Sequence, residues 1–290
     1  MTNFPYIFGS SKPTFTFSDY GYFRYPKQVT IPANVRVLNN SAAAFQIHTE
    51  IETIAFEENS SLTNISANIF QGCTGLKSIV FPANKTLTIP GGLFDGCTAL
   101  ENIEFPDCTL NIGTGSTFAF RNCPISQSLF ETLLAQFSGT AIAAQMFAIC
   151  SRITSLVVPD TITQIGLNAF MSCTNLSFID LNNVTVLYDA FSLCPALKKV
   201  IFRTIPTTFT PAQFSGSSAL EEVVIPEGWN QNLNLSGSSS LTHDSMVSML
   251  ENLYDFTGGT KHTLTLGATN LARLSAEEIA IATAKNWTVT

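Results

Sequence analysis

The chain has 290 residues, 45% hydrophobic, 12% charged and 11% aromatic, with a formal net charge of −7. An average domain carries roughly 25% charged residues, so the polar balance here falls to Ser, Thr and Asn. No basic run exceeds the pair Lys198-Lys199 and polar or turn-forming residues interrupt every apolar stretch, which argues against nucleic acid as a partner and against membrane insertion.

The N-terminal MTNFPYIFGSSKPTFTF has neither a basic n-region nor a continuous apolar h-region, so no export signal is expected in it. Residues 1–40 are rich in aromatics, among them Phe4, Tyr6, Phe8, Phe15, Phe17, Tyr20, Tyr22, Phe23 and Tyr25. FTF and VTIP (Val29 to Pro32) read as short strands, which predicts an N-terminal β-cap over 1–40. An aromatic binding platform is the sharper alternative.

From there one phrase recurs: Phe, two small or polar residues, Cys, two residues and an aliphatic. It appears as FQGCTGL from Phe70, FDGCTAL from Phe94, FAICSRI from Phe147, FMSCTNL from Phe170 and FSLCPAL from Phe191. FSGSSAL from Phe214 and LSGSSSL from Leu235 keep the frame with Ser in the Cys place, FRNCPIS from Phe120 loses the final aliphatic, and a weaker copy starts at Phe45. Successive anchors at 70, 94, 120, 147, 170, 191, 214 and 235 are 24, 26, 27, 23, 21, 23 and 21 residues apart. Periods of about 20–29 residues belong to leucine-rich repeats. The fold class expected is therefore β-rich α/β, a leucine-rich-repeat solenoid of about eight to nine coils of ~23 residues over 41–241.

A second phrase follows each anchor, as LKSIVFP (Leu76 to Pro82), LENIEFP (Leu100 to Pro106), ITSLVVP (Ile153 to Pro159), LSFIDL (Leu176 to Leu181), LKKVIF (Leu197 to Phe202) and LEEVVIP (Leu220 to Pro226). IETIAF (Ile51 to Phe56) is the early version. Apolar residues at the fourth and sixth places alternate with variable ones at the third and fifth, the period of a strand. A following Pro lacks the N–H to continue a ladder.

Third and fifth residues then face outward onto the sheet. They are Thr53 and Ala55, Ser78 and Val80, Asn102 and Glu104, Ser155 and Val157, Phe178 and Asp180, Lys199 and Ile201, and Glu222 and Val224. Val80, Val157, Phe178, Ile201 and Val224 in a row make an apolar stripe edged by charges, and an exposed stripe of this kind marks an interaction site. The expected contact is a protein partner or a second copy of the chain; covering of the stripe by cap or loop residues, or plain β-propensity, are the alternatives.

The longest step contains SQSLFETLLAQF (Ser126 to Phe137), whose Leu129, Phe130, Leu133, Leu134 and Phe137 follow a helical stripe. It reads as a helical insertion over about 126–137, either a pseudo-boundary between two stacks of coils or a local addition. After Leu241 the period is lost. Thr242 to Asp255 places Met246, Met249, Leu250 and Leu253 at helical spacing behind an N-cap Thr242. His262 to Gly267 reads as a strand, Ser275 and Glu278 as a capping box, and Trp287 to Thr290 as a final strand, giving a helix-strand-helix-strand cap over 242–290.

Six of the seven cysteines, Cys73, Cys97, Cys123, Cys150, Cys173 and Cys194, share one place in the coil, with Ser217 and Ser238 in the same place later. A place that takes Cys or Ser wants a small, weakly polar side chain, so buried free thiols are expected in preference to disulfides.

The two phrases together resemble the BspA-like leucine-rich-repeat family, whose coils read LxxIxFP followed by a short variable piece and AFxxCxxL. The tail LTLGATNLARLSAEEIAIATAKNWTV resembles the ending of some gut-bacterial and prophage-encoded members. The resemblance implies a bacterial, surface-associated or secreted protein used in adhesion or host-protein binding, and it brings no catalytic residues. A phage particle or the cytoplasm is the alternative location.

Chemistry-bearing motifs are missing from the sequence. His48, His243 and His262 are not at metal-ligand spacing, and there is no GxSxG, GxGxxG or Walker sequence. The acidic pairs Glu57-Glu58, Glu221-Glu222 and Glu277-Glu278 read as solvated faces. No catalytic residue, metal or cofactor is expected. The expected function is a non-catalytic binding or adhesion scaffold; a structural or receptor-binding component of a phage or secretion particle is the alternative.

Overall fold

The computed structural model describes residues 6–7, 14–15, 27–38 and 45–290. Most of the expected 1–40 cap, with its aromatic side chains, lies outside the described residues. Within it run the strands Tyr6–Ile7, Thr14–Phe15 and Gln28–Ile31, the last at the VTIP motif. The chain divides into two compact units, residues 1–139 with 143–150, and residues 140–142 with 151–290.

In the first unit the strands Tyr6–Ile7, Gln28–Ile31, Thr53–Phe56, Ser78–Val80 and Asn102–Glu104 form one parallel sheet in that order. In the second, Ser155–Val157, Phe178–Asp180, Lys199–Ile201 and Glu222–Val224 form another. Each strand pairs with its counterpart one repeat away, which is what makes each repeat one coil of a stack. Central residues meet in register, Ile54 to Ile79 to Ile103 and Leu156 to Ile179 to Val200 to Val223, and all are buried, as the alternation predicts. A second set of short parallel strands returns along the other side of the coils, in the second unit Ala141–Ile142, Gln164–Ile165, Val186–Leu187 and Thr208–Phe209.

The anchor phenylalanines stack into ladders. Ring centroids are 5.3 Å apart for Phe45 and Phe70, 5.6 Å for Phe70 and Phe94, 5.9 Å for Phe94 and Phe120 and 5.6 Å for Phe120 and Phe147 in the first unit. In the second they are 5.5 Å for Phe170 and Phe191 and 6.2 Å for Phe191 and Phe214. Two residues after each Phe the chain turns a left-handed corner. Gly72, Gly96 and Asn122 have φ of 70°, 76° and 56°, and Ile47, Ile149, Ser172 and Leu193 have 66°, 63°, 60° and 58°. That corner aims the N–H along the stacking direction, so Gly72 donates to Asp95 and Gly96 to Arg121 in the next coil, both at 2.8 Å. Gly and Asn suit the conformation; a branched aliphatic there is strained.

All seven cysteines are free, and the six ladder members are buried. The thiols of Cys73, Cys97, Cys123, Cys150 and Cys194 donate to the carbonyls of Phe45, Phe70, Phe94, Phe120 and Phe170, the anchor one coil back, at 2.7–3.3 Å. The serines do not copy this bond: Ser238 Oγ donates to the Ser217 carbonyl at 3.2 Å, and the buried Ser217 Oγ has no partner.

Helix α1, Gln127–Ala135, is capped by Ser126, whose hydroxyl accepts from the Leu129 N–H, and it buries Phe130, Leu133 and Leu134. Helix α2, His243–Asn252, is capped by Thr242 accepting from the Ser245 N–H, and it buries Met246, Met249 and Leu250. Both helices bury apolar residues four, seven and eight places after the cap, and each follows an anchor phrase where other coils have a strand. The α2 residue Ser245 stands in for the strand it replaces: its Oγ accepts from the Val223 N–H at 2.9 Å and donates to the Val223 carbonyl at 3.4 Å, which satisfies the edge of the second-unit sheet. After α2 come the strand His262–Thr265, a short helix α3, Ala268–Leu271, and helix α4, Ala276–Ala284, with the Ser275–Glu278 capping box in place. The strand Trp287–Val289 closes the chain.

Candidate protein-binding face

The twelve outward residues expected to form the face divide between the two sheets. Ser78, Val80, Asn102 and Glu104 lie on the first-unit sheet, the first two half-buried and the last two exposed, with Asn102 Nδ2 donating to Glu104 Oε1 at 2.7 Å. Beside Val80 runs an open groove of about 660 Å³ lined by Phe56, Phe81, Pro82, Glu57 and Lys85 among others. Phe56 and Phe81 of this lining belong to a second aromatic stack, in which Phe81 lies 5.7 Å from Phe56 and 4.8 Å from Phe105.

The other eight lie on the second-unit sheet in two columns. Ser155, Phe178, Lys199 and Glu222 align in one, and Val157, Asp180, Ile201 and Val224 in the other. Val157 is 59% exposed, while Phe178, Ile201 and Val224 are half-buried. Lys199 pairs with Glu222 at 2.8 Å and Lys198 with Glu221 at 3.3 Å, which edges the apolar residues with paired charge.

Two expectations are corrected by this geometry. Asp180 does not face outward into solvent: its side chain is only 8% exposed, and Arg203 from the next coil binds it through Nε at 2.9 Å and a terminal nitrogen at 2.6 Å. The Asn182 N–H adds a third bond at 3.2 Å. A carboxylate at a strand end bends inward when a guanidinium one coil away neutralises it and meets both oxygens. The apolar stripe is also not one row. Val80 belongs to the other sheet, Asp180 interrupts the column of Val157, Ile201 and Val224, and Phe178 stands in the neighbouring column.

Six copies of the BspA-type leucine-rich repeat match the sequence over residues 20–144 and 140–251. The chain belongs to the BspA-type leucine-rich-repeat family. Repeats of this family are in general scaffolds for protein binding or adhesion. Solved structures with a similar fold include a leucine-rich cell surface protein from Faecalibacterium prausnitzii, 19% identical over 78% of this chain and 77% of that one, TM-score 0.32. Another is the leucine-rich-repeat protein of T. pallidum, 19% identical over 79% of this chain and 90% of that one, TM-score 0.39. A third is the pneumococcal vaccine antigen PcpA, 17% identical over 84% of this chain and 63% of that one, TM-score 0.48. No curated protein matches the chain.

Among the described residues no group of three or more His, Cys, Asp and Glu side chains is placed to hold a metal ion, and no helix is long and apolar enough to cross a membrane. His243 Nε2 lies 3.0 Å from Glu278 Oε1, a contact between α2 and α4.

The sequence reading passed over one exposed group. Leu167, Tyr188 and Leu193, on the turn side of the second unit, are 51%, 41% and 54% exposed. They sit in the variable piece around the anchor Phe, where no strand alternation sorts inward from outward residues. The signal available was comparative: within the second unit Leu193 occupies a corner where the flanking coils have Ser172 and Gly216.

Proposed function

We propose that the chain is a non-catalytic binding scaffold whose second-unit sheet contacts a protein partner through Ser155, Val157, Phe178, Lys199, Ile201, Glu222 and Val224. The first-unit residues Ser78, Val80, Asn102 and Glu104 serve as an accessory face. The exposed Val157, on a sheet whose outward residues also include the half-buried Phe178, Ile201 and Val224, carries this reading. Parallel sheets are ordinarily covered on both faces, and an uncovered one that presents Val, Ile and Phe offers apolar area to a partner. Paired charges around it add register and partner choice. Family membership supports placing the scaffold at a bacterial surface or among secreted proteins.

Surface plasmon resonance against a panel of extracellular-matrix proteins, and against the chain itself, tests the reading. The double variant Val157→Glu, Ile201→Glu is expected to abolish a contact that the unmodified chain makes, with the melting temperature nearly unchanged. Undiminished binding by the double variant, or a large loss of stability, overturns it.

A further inference from the structure

The turn side of the second unit carries a surface distinct from the sheet face. Leu167 and Tyr188 occupy the same place in consecutive coils, three residues before Phe170 and Phe191, and Leu193 follows Phe191 by two. Leu193 is exposed and left-handed at once. It leaves about half of its surface uncovered and bears backbone strain, as Ile47 and Ile149 do at the same corner of the first unit, 71% and 42% exposed.

Next to Tyr188 lies Asp189, with φ of 26°. Its Oδ1 is buried without a hydrogen-bond partner, and burial pushes its carboxyl above the usual range. The turn segments of its own and the flanking coils, residues 160–172, 183–197 and 205–218, contain no Lys, Arg or His. The first unit shows how this side of a coil satisfies a carboxylate. Asp95, one residue after Phe94, receives two 2.7 Å bonds from Arg121 and one of 3.0 Å from Gln71. The guanidinium lies 4.6 Å over the Phe118 ring. Carboxylate, guanidinium and aromatic ring complete one another there; Asp189, at the place two before the anchor that Phe118 holds in the first unit, is a carboxylate with no guanidinium in the turn segments around it.

We propose that the turn face formed by Leu167, Tyr188, Asp189 and Leu193 docks a peptide segment of a partner protein that carries an arginine or lysine between apolar residues. The cation meets the Asp189 carboxylate, for which the surrounding turn segments supply no basic partner, its alkyl stem lies along Tyr188, and the flanking apolar residues cover Leu167 and Leu193. The net charge of −7 favours the approach of such a segment.

A random dodecapeptide library panned against the immobilised full chain tests this. Enriched peptides are expected to hold an Arg or Lys beside an aliphatic or aromatic residue. They should lose about tenfold or more in affinity for Asp189→Asn and for Leu193→Asn, and bind Ile201→Glu on the sheet face unchanged. Leu193→Asn puts at the corner the residue type that the chain carries at Asn122, so it keeps or raises the melting temperature while weakening the peptide. Absence of enriched peptides, enrichment without a basic residue, or full affinity for either variant overturns the proposal. Loss of binding on Ile201→Glu instead assigns the peptides to the sheet face and also overturns it.

Discussion

The Cys97 thiol donates to the Phe70 carbonyl 3.0 Å away in the preceding coil, and burial raises its pKa well above the ordinary value. A thiol held neutral and covered does not attack electrophiles. Cys108 alone among the seven is half-buried rather than buried. At pH 8 the native chain is therefore expected to react rapidly with a thiol reagent at one site, Cys108, and close to seven sites should react in denaturant without reductant. Two or more fast native thiols, or one or fewer in denaturant, contradict the ladder.

The same thiols make the fold sensitive to alkali. Burial pushes Cys73, Cys150 and Cys194 from 9.0 up to about 12. In the unfolded chain they ionise near 9, so their contribution is fully present below that pH and is lost as pH rises from about 9 to about 12. Each costs about 1.4 kcal/mol of stability per pH unit in that window. Denaturation midpoints between pH 8 and pH 11 should fall steeply, and Cys150→Ala should flatten the slope by one proton's worth. An unchanged slope removes the thiol from the account.

Ser217 occupies the thiol place with its buried hydroxyl unpaired, whereas Cys194, in the coil before, reaches the Phe170 carbonyl at 3.3 Å. The longer C–S bond brings a thiol to a carbonyl that the hydroxyl misses. Ser217→Cys is expected to stabilise the chain by about 1 kcal/mol, read as a higher urea midpoint at unchanged slope. A lower midpoint refutes it.

Asp95 depends on Arg121 for two of its three side-chain bonds. Arg121→Met keeps the stem and removes the fork, which leaves a buried carboxylate short of partners at a cost of about 1–3 kcal/mol. Arg121→Lys should recover only part of it, because a single ammonium does not reproduce the bidentate geometry. Equal stability of the Met and Lys variants, near that of the parent, shows that the pair contributes nothing.

Phe130 of α1 packs edge-on against Phe147 with centroids 5.0 Å apart. Phe130→Ala is expected to cost about 3–5 kcal/mol and its α2 counterpart Met246→Ala about 2–5 kcal/mol. Calorimetry reads both, and a loss under 1 kcal/mol at either site marks that helix as peripheral.

The coil was legible because its Phe, Cys and Ile recur at a fixed place and stacking turns recurrence into a core. The helices were legible too: Ser126, Thr242 and Ser275 are strong caps ahead of helical stripes. Helix α3 was not, since four residues behind Gly267 have no side-chain cap and too little length for a period. The fate of Asp180 hung on Arg203, 23 residues away, and strand alternation carries no information about such a pair. Asp189 falls in the variable piece before the anchor Phe191, where no periodicity marks it. The resemblance named the family and was silent on both carboxylates.

Ser245 occupies the hydrogen-bonding groups of Val223 from a helix, so the terminus of the second-unit sheet needs only one strand edge to rest on. Whole repeats can then be added or deleted between Ser155 and Val224 while the closing helix stays as it is. Reach becomes adjustable in steps of ~4.8 Å, the separation of neighbouring strands. A lineage could lengthen or shorten this stack of coils by copying cassettes, leaving its fastening unaltered.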